Sequence, residues 1–334
     1  MTLPLPGTAS SQTPPRTRMR VRGGVWLGLA TAGVAGLIAL SLSVGVFDIT
    51  GDSFGPEMFW ISRVPRTAAL VLAGSAMAVS GLIMQMITRN RFVEPGTTGT
   101  SEWAALGLLV VTLWVPQASL GTRMVVASVA AFVGAMIFLA ILQRIALTSS
   151  LIVPLVGIML GAVVSAFTTY LALTTNMLQM LGTWFMGSFT GVVRGRYEVL
   201  WVVGVIVIIA VLVADRFTVA GLGREIATSV GLNYRRTLIL GTSLVAVSTG
   251  VTTVVVGFLP FLGLIVPNVV SMIRGDNLRS NVPWVCLGGI AIVMVCDILG
   301  RVIRMPFEIP ASMILGVLGA AVFIALVLGV RRRG

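Results

Sequence analysis

Apolar residues fall into ten runs separated by short polar segments: Val25–Val46, Arg66–Ile87, Trp103–Val115, Met124–Leu142, Leu151–Leu173, Tyr197–Ala214, Thr237–Val256, Phe261–Ile273, Val282–Val302 and Ala311–Val330. A helix needs about 20 largely apolar residues to cross the hydrocarbon core of a bilayer. The pattern predicts an all-α polytopic membrane protein of about ten transmembrane helices. A disordered tail covers residues 1–24, the transmembrane domain residues 25–330, and a short polar end residues 331–334. A cleavable signal peptide is the alternative for the first run. That run is longer than the usual h-region of about 7–15 residues, and no small-residue cleavage site closes it. Several runs are short or interrupted by Pro154, Pro260 and Pro267. Broken helices persist in membranes only where protein or a water-filled path satisfies the freed backbone groups, so an internal polar route is expected.

Charge sets the orientation. The chain carries 23 basic and 11 acidic residues, a formal charge of +12, and every basic residue is arginine. With both termini cytoplasmic, the inner segments hold Arg16, Arg18, Arg20, Arg22, Arg89, Arg91, Arg144, Arg216, Arg224, Arg235, Arg236, Arg274, Arg279 and Arg331 to Arg333. Only Arg63, Arg66, Arg123, Arg194, Arg196, Arg301 and Arg304 fall outside. That asymmetry follows the positive-inside rule for an even number of spans. Because the charge is scattered over separate short loops, a nucleic-acid face is not expected.

Composition removes most chemistry. Of 334 residues, 57% are hydrophobic and 10% charged, with mean hydropathy +1.02; soluble domains carry about 25% charged residues. There is no lysine and no histidine. A phosphate-binding P-loop lysine, a Schiff-base lysine, a histidine metal site and a Ser-His-Asp triad are all excluded. Cys286 and Cys296, ten positions apart in one run, lie about 15 Å apart on a helix, beyond bridging reach. They read as plain core or lipid-facing residues.

Four features hold more than topology. The segment 215–236 is the longest predicted cytoplasmic loop, with Gly221, Gly223 and Gly231 punctuating two short helical stretches. It reads as a docking surface, or as an ordinary hairpin connection with stop-transfer arginines. On the outer side, Arg63-Val-Pro-Arg66 and Asp297-Ile-Leu-Gly-Arg301 place arginines suited to carboxylate capture. The simpler alternative is interfacial snorkelling with an i,i+4 pair between Asp297 and Arg301. Glu102 near the start of the third run is a functional-site candidate by default if buried, and otherwise a capping or water-exposed group. Gly28, Ala32 and Gly36 form a small-residue ridge on the first helix.

An ordered set of segments resembles one family. The stretches are Arg63-Val-Pro-Arg-Thr67, Gly74-Ser-Ala-Met-Ala-Val-Ser-Gly81, Gln85-Met-Ile-Thr-Arg-Asn90, Glu94-Pro-Gly96 and Gly99-Thr-Ser-Glu-Trp-Ala-Ala-Leu-Gly107. Trp184-Phe-Met-Gly-Ser188, Gly231-Leu-Asn-Tyr-Arg-Arg236, Phe261-Leu-Gly-Leu-Ile-Val-Pro267, Cys296-Asp-Ile-Leu-Gly-Arg301 and Pro306-Phe-Glu-Ile-Pro310 follow. Together they resemble the FecCD permeases of ABC importers, whose vitamin B12 member has the BtuC-type fold. The resemblance implies a ten-helix type II importer permease, paired with a second permease subunit around a translocation path. Two ATP-binding subunits, which use ATP and Mg, dock on its cytoplasmic side and a substrate-binding protein outside. No cofactor is expected on this chain and no bond chemistry, so it is not an enzyme by itself. The absent lysine agrees, since ATP must then be hydrolysed by another chain.

By the same resemblance, Arg63, Arg66 and Arg301 meet acidic residues of the binding protein. The ATPase-coupling loop carries Gly221, Gly223, Arg224, Glu225, Gly231, Asn233, Arg235 and Arg236. Asn90 and Phe92, with Ser149 and Ser150, fall at a cytoplasmic gate. Two departures stand out: Pro267-Asn268 replaces Pro-His, and Arg-Asn-Arg-Phe92 replaces Arg-Asn-Pro-Leu. The C-terminal motifs are most similar to importers of catecholate-type ferric siderophores, a subgroup that favours a heterodimer of permeases in the bacterial cytoplasmic membrane. Haem or corrinoid import and ion-coupled secondary transport, which has broken helices and needs no ATPase, remain the alternatives.

Overall fold

The computed structural model describes residues 17–45, 55–144, 152–275, 277–304 and 306–331. Among them there is no strand. The helices are α1 (Thr17–Ser43), α2 (Gly55–Met58), α3 (Val64–Thr88), α4 (Thr100–Trp114), α5 (Leu120–Leu142), α6 (Ile152–Thr174) and α7 (Leu178–Phe185). They continue with α8 (Trp201–Leu212), α9 (Ala214–Gly221), α10 (Arg224–Ser229), α11 (Tyr234–Val255), α12 (Leu262–Arg274), α13 (Leu278–Val302) and α14 (Ala311–Arg331).

Six helices, α1, α3, α5, α6, α11 and α13, are each long and apolar enough to cross a membrane. The pair α8 and α9, bent by 61° at their junction, meets the same test only when the two are counted as one broken segment. Shorter apolar helices at α4, α12 and α14 account for the remaining predicted runs. α1 begins at Thr17 and not at Val25, so residues 17–24 of the expected tail are helical. Arginine is a good helix former and no proline interrupts Thr17 to Val25, so the helix extends through them.

α3 is the hub: it packs against α8, α9, α11, α12 and α13, and nearly every residue from Thr67 to Thr88 is buried. Its small residues allow this. A Cβ at Gly81 would overlap the backbone of Gly263 in α12, and one at Gly74 would lie 3.0 Å from the Gly289 carbonyl in α13. The ridge expected on α1 has no such role, because Gly28 and Gly36 have open space where a Cβ would stand. α1 is only 11% buried along its apolar stretch.

The prolines interrupt less than their positions suggest. Pro154 falls in the first turn of α6, where an N–H would have no intrahelical partner. Pro267 lies inside α12, which continues through it. Its missing N–H leaves the Gly263 carbonyl free at the i−4 position. The Gln85 side-chain amide of α3 donates to that carbonyl at 3.4 Å, while Asn268 donates to Leu264 O at 2.8 Å. The core is not uniformly apolar: the buried hydroxyls of Ser101, Ser248, Thr249 and Thr252 meet no hydrogen-bonding partner among the described residues.

Candidate functional site

At one end of the bundle α3, α13 and α1 meet in an arginine cluster. α3 starts on the exit of a π-helical turn, Phe59–Arg63, with Pro65 in its first turn. That start points Arg66 at α13. Its Nε and Nη2 donate to Asp297 Oδ1 at 3.1 and 2.7 Å, and its Nη1 donates to both Glu308 oxygens at 2.9 Å. Arg301, one turn beyond Asp297, lies 2.7 Å from Asp297 Oδ2, so the i,i+4 pair is formed. The same guanidinium donates to the carbonyls of Ser41 and Val44 and to Ser41 Oγ. Arg63 donates to the carbonyls of Leu42 and Ser43. Two arginines thus satisfy the last carbonyls of α1, where the helix dipole favours positive charge. They hold a helix that otherwise packs little.

The three arginines are therefore brought together, but none stands open to solvent. The Arg301 and Asp297 side chains are 5% and 2% exposed, and Arg66 is 11% exposed. Arg194, Arg196 and Arg304 are exposed.

At the opposite end, the loop after α8 folds as the glycines predict. α9 ends at Gly221, and α10 starts from Gly223, whose φ of 112° requires glycine. Gly231 at φ 82° turns the chain toward α11, and Asn233 caps α11 by accepting from the Arg236 N–H at 3.0 Å. The loop rests on the last turn of α3: Cβ positions at Gly221 and Gly223 lie 3.2 Å from Met86 Sδ and 3.3 Å from an Arg89 guanidinium nitrogen. Arg224, Glu225, Arg235 and Arg236 are exposed. So are three apolar side chains that the sequence reading passed over: Leu222, Ile226 and Val230, at 55%, 50% and 66% exposure. Their spacing of four in a polar loop was the available signal.

The segment after α3 joins the two halves of the inner bundle. Arg89 turns the chain at φ 52°, and the buried Asn90 accepts from the Phe92 N–H at 2.8 Å. Phe92 packs edge-on against Phe323 of α14, which stacks on Phe261. Asn268 donates to the Arg91 carbonyl at 2.7 Å. The buried Glu94 accepts from the Phe261 N–H at 3.1 Å, at the start of α12, where the helix dipole favours a carboxylate. Ser149 and Ser150 lie outside the described residues. Glu102 is half-buried in the first turn of α4 and does not cap it. It packs against Gly161 of α6, and its Oε2 is buried without a hydrogen-bond partner among the described residues. An apolar crevice of about 530 Å³ between α5, α8 and α11 has no charged lining residue and lies apart from all of these groups.

Among the described residues no group of His, Cys, Asp or Glu has the arrangement of a metal site. The clustered side chains anchor helices and offer surfaces; they include no nucleophile paired with a base.

Comparison with known proteins agrees with this picture. Residues 26–329 match the FecCD transport family. The chain is 54% identical to the petrobactin import system permease protein FatD of Bacillus anthracis, over 88% of each chain. It is 42% identical to the petrobactin import system permease protein YclN of Bacillus subtilis, over 87% of this chain and 94% of that one. A metal-chelate type ABC transporter solved in an inward-facing conformation has the same fold, with a TM-score of 0.79 at 23% identity, covering 92% of this chain and 99% of that one. The chain is a multi-pass membrane protein and belongs to the FecCD transport family.

Proposed function

We propose that this chain is the permease subunit of an ABC importer that moves a ferric siderophore of the catecholate type across the bacterial cytoplasmic membrane. The observation that carries the reading is the 54% identity to a petrobactin permease over 88% of the chain. Transport proceeds by alternating access between two permease subunits, this chain and a second, different one. Two ATP-binding subunits supply the work, with ATP and Mg bound by them.

The exposed Leu222, Ile226 and Val230 support ATPase docking on the α10 surface, since apolar side chains on a polar loop gain most from a protein partner. Arg224, Glu225, Arg235 and Arg236 surround that contact. Gly221, Gly223, Gly231 and Asn233 shape the backbone that presents it. Because this loop rests on Met86 and Arg89, a shift of α10 reaches Asn90 and Phe92, the gate segment, through the end of α3. With the termini and the α10 loop cytoplasmic, the arginine cluster faces the extracytoplasmic binding protein. Arg66 receives an acidic side chain there, while Arg63 and Arg301 hold the end of α1 behind it.

Uptake of radiolabelled iron by a deletion strain tests the substrate. The reading requires that ferric catecholate uptake be lost on deletion and restored by this gene. Unchanged catecholate uptake with loss of haem or corrinoid uptake assigns the chain to that alternative.

A further inference from the structure

The proposed docking arginine already holds two acids of its own chain. Arg66 has two carboxylate partners of unlike character. Asp297 is 2% exposed, lies in the last two turns of α13 and also pairs with Arg301. Glu308 is 24% exposed, sits in the connection 303–310 between α13 and α14, and takes both its bonds from a single Arg66 nitrogen. Its one other described contact is the Thr190 hydroxyl, which donates to Oε2 at 2.5 Å. The first partner is fixed by burial, and the second is held on a connecting segment at the solvent edge.

The charges sharpen the contrast. Within the group of four side chains, Arg66 and Arg301 are matched by Asp297 and Glu308, two charges against two. Withdrawing Glu308 leaves one uncompensated positive charge, and that charge faces outward on the side Glu308 vacates. Such a site attracts a carboxylate.

The geometry points to Glu308 as an internal competitor: it occupies the Arg66 position that an acidic side chain of the docking protein takes, and docking exchanges one carboxylate for the other. The exchange also frees the segment leading into α14, whose Phe323 meets gate residue Phe92. Glu308 thereby sets the threshold for docking, favouring a partner that presents a well-placed carboxylate. This inference rests on the proposed docking of an acidic binding protein at Arg66.

The test is binding of the importer's extracytoplasmic binding protein to the whole importer complex in nanodiscs, for three variants. Arg66→Gln tests the docking reading and is expected to weaken binding by about tenfold or more. Glu308→Gln keeps the shape and the Thr190 contact but removes the competing charge, and is expected to tighten binding by about two- to fivefold. Thr190→Val, which loosens Glu308 without altering charge, is expected to shift binding in the same direction by less, and decides the matter if Glu308→Gln lowers the yield of folded complex. Weakened binding in Arg66→Gln with unchanged or weakened binding in both other variants overturns the competitor and leaves the docking reading standing. Unchanged binding in Arg66→Gln overturns both.

Discussion

Asp297→Asn perturbs the arginine cluster at its centre. Asp297 is the one acid shared by Arg66 and Arg301, and all three side chains are at most 11% exposed. The substitution changes the group of Arg66, Arg301, Asp297 and Glu308 from neutral to a net charge of +1 with little change in volume. Arg66 keeps Glu308, whereas Arg301 keeps only the Ser41 and Val44 groups of α1. Removing one partner of a buried pair costs about 3–5 kcal/mol, because the other charge stays buried and unbalanced. At about 2 °C per kcal/mol for a chain of this size, the apparent melting temperature falls by about 6 °C or more. Melting of the detergent-solubilised protein, followed by the loss of its monodisperse gel-filtration peak, gives the shift; comparison at one heating rate suits a transition that is not reversible. The double variant Asp297→Asn with Arg301→Met restores neutrality and should recover at least about 1 kcal/mol relative to the sum of the single losses. An Asp297→Asn protein that melts with the parent, or strict additivity in the double variant, would refute the charge-balance reasoning.

Four other outcomes follow from named contacts. Gly81→Ala drives a Cβ into the Gly263 backbone and should abolish the folded peak, whereas Gly28→Ala, with open space around it, should leave it intact or raise its melting point. Gln85→Leu strands the carbonyl that Pro267 cannot bond, and should cost about 1–3 kcal/mol by the same melting assay. Ile226→Asp combined with Val230→Asp should preserve the folded chain while removing the ATPase from affinity-purified complexes; full retention of the ATPase would place docking elsewhere. Glu102→Gln should leave ATP-driven uptake unchanged, since the carboxylate packs between α4 and α6; loss of uptake with a new pH dependence would restore an ion-coupled mechanism.

The spans were legible because each is written locally. A run such as Leu120–Leu142 or Tyr234–Val255 shows its length and apolarity within one window. The glycine-bounded loop after α9 was legible for the same reason, since Gly223 and Gly231 are backbone signals. What stayed hidden depends on partners far apart in the chain. Arg66 and Asp297 are separated by 231 positions, and Arg66 and Glu308 by 242, so no spacing rule shows that these arginines are consumed inside the fold. Gln85 likewise reveals its part only when α3 lies beside α12. The small residues of α1 resemble those of α3 in composition, yet only α3 is enclosed on all sides, and enclosure is a property of the bundle. The segments that carry the motifs of the FecCD family lie at the two ends of the bundle, and only the fold shows which side chains there are already spoken for.

On the proposed function, this chain moves a ferric siderophore only as part of an ATP-driven assembly. The most direct test is uptake into proteoliposomes containing this chain, its partner permease and the ATPase, with the binding protein outside and a ferric catecholate siderophore as substrate. Accumulation that requires both enclosed ATP and the binding protein is the predicted result. Accumulation by this chain alone, driven by an ion gradient without ATP, would contradict the account.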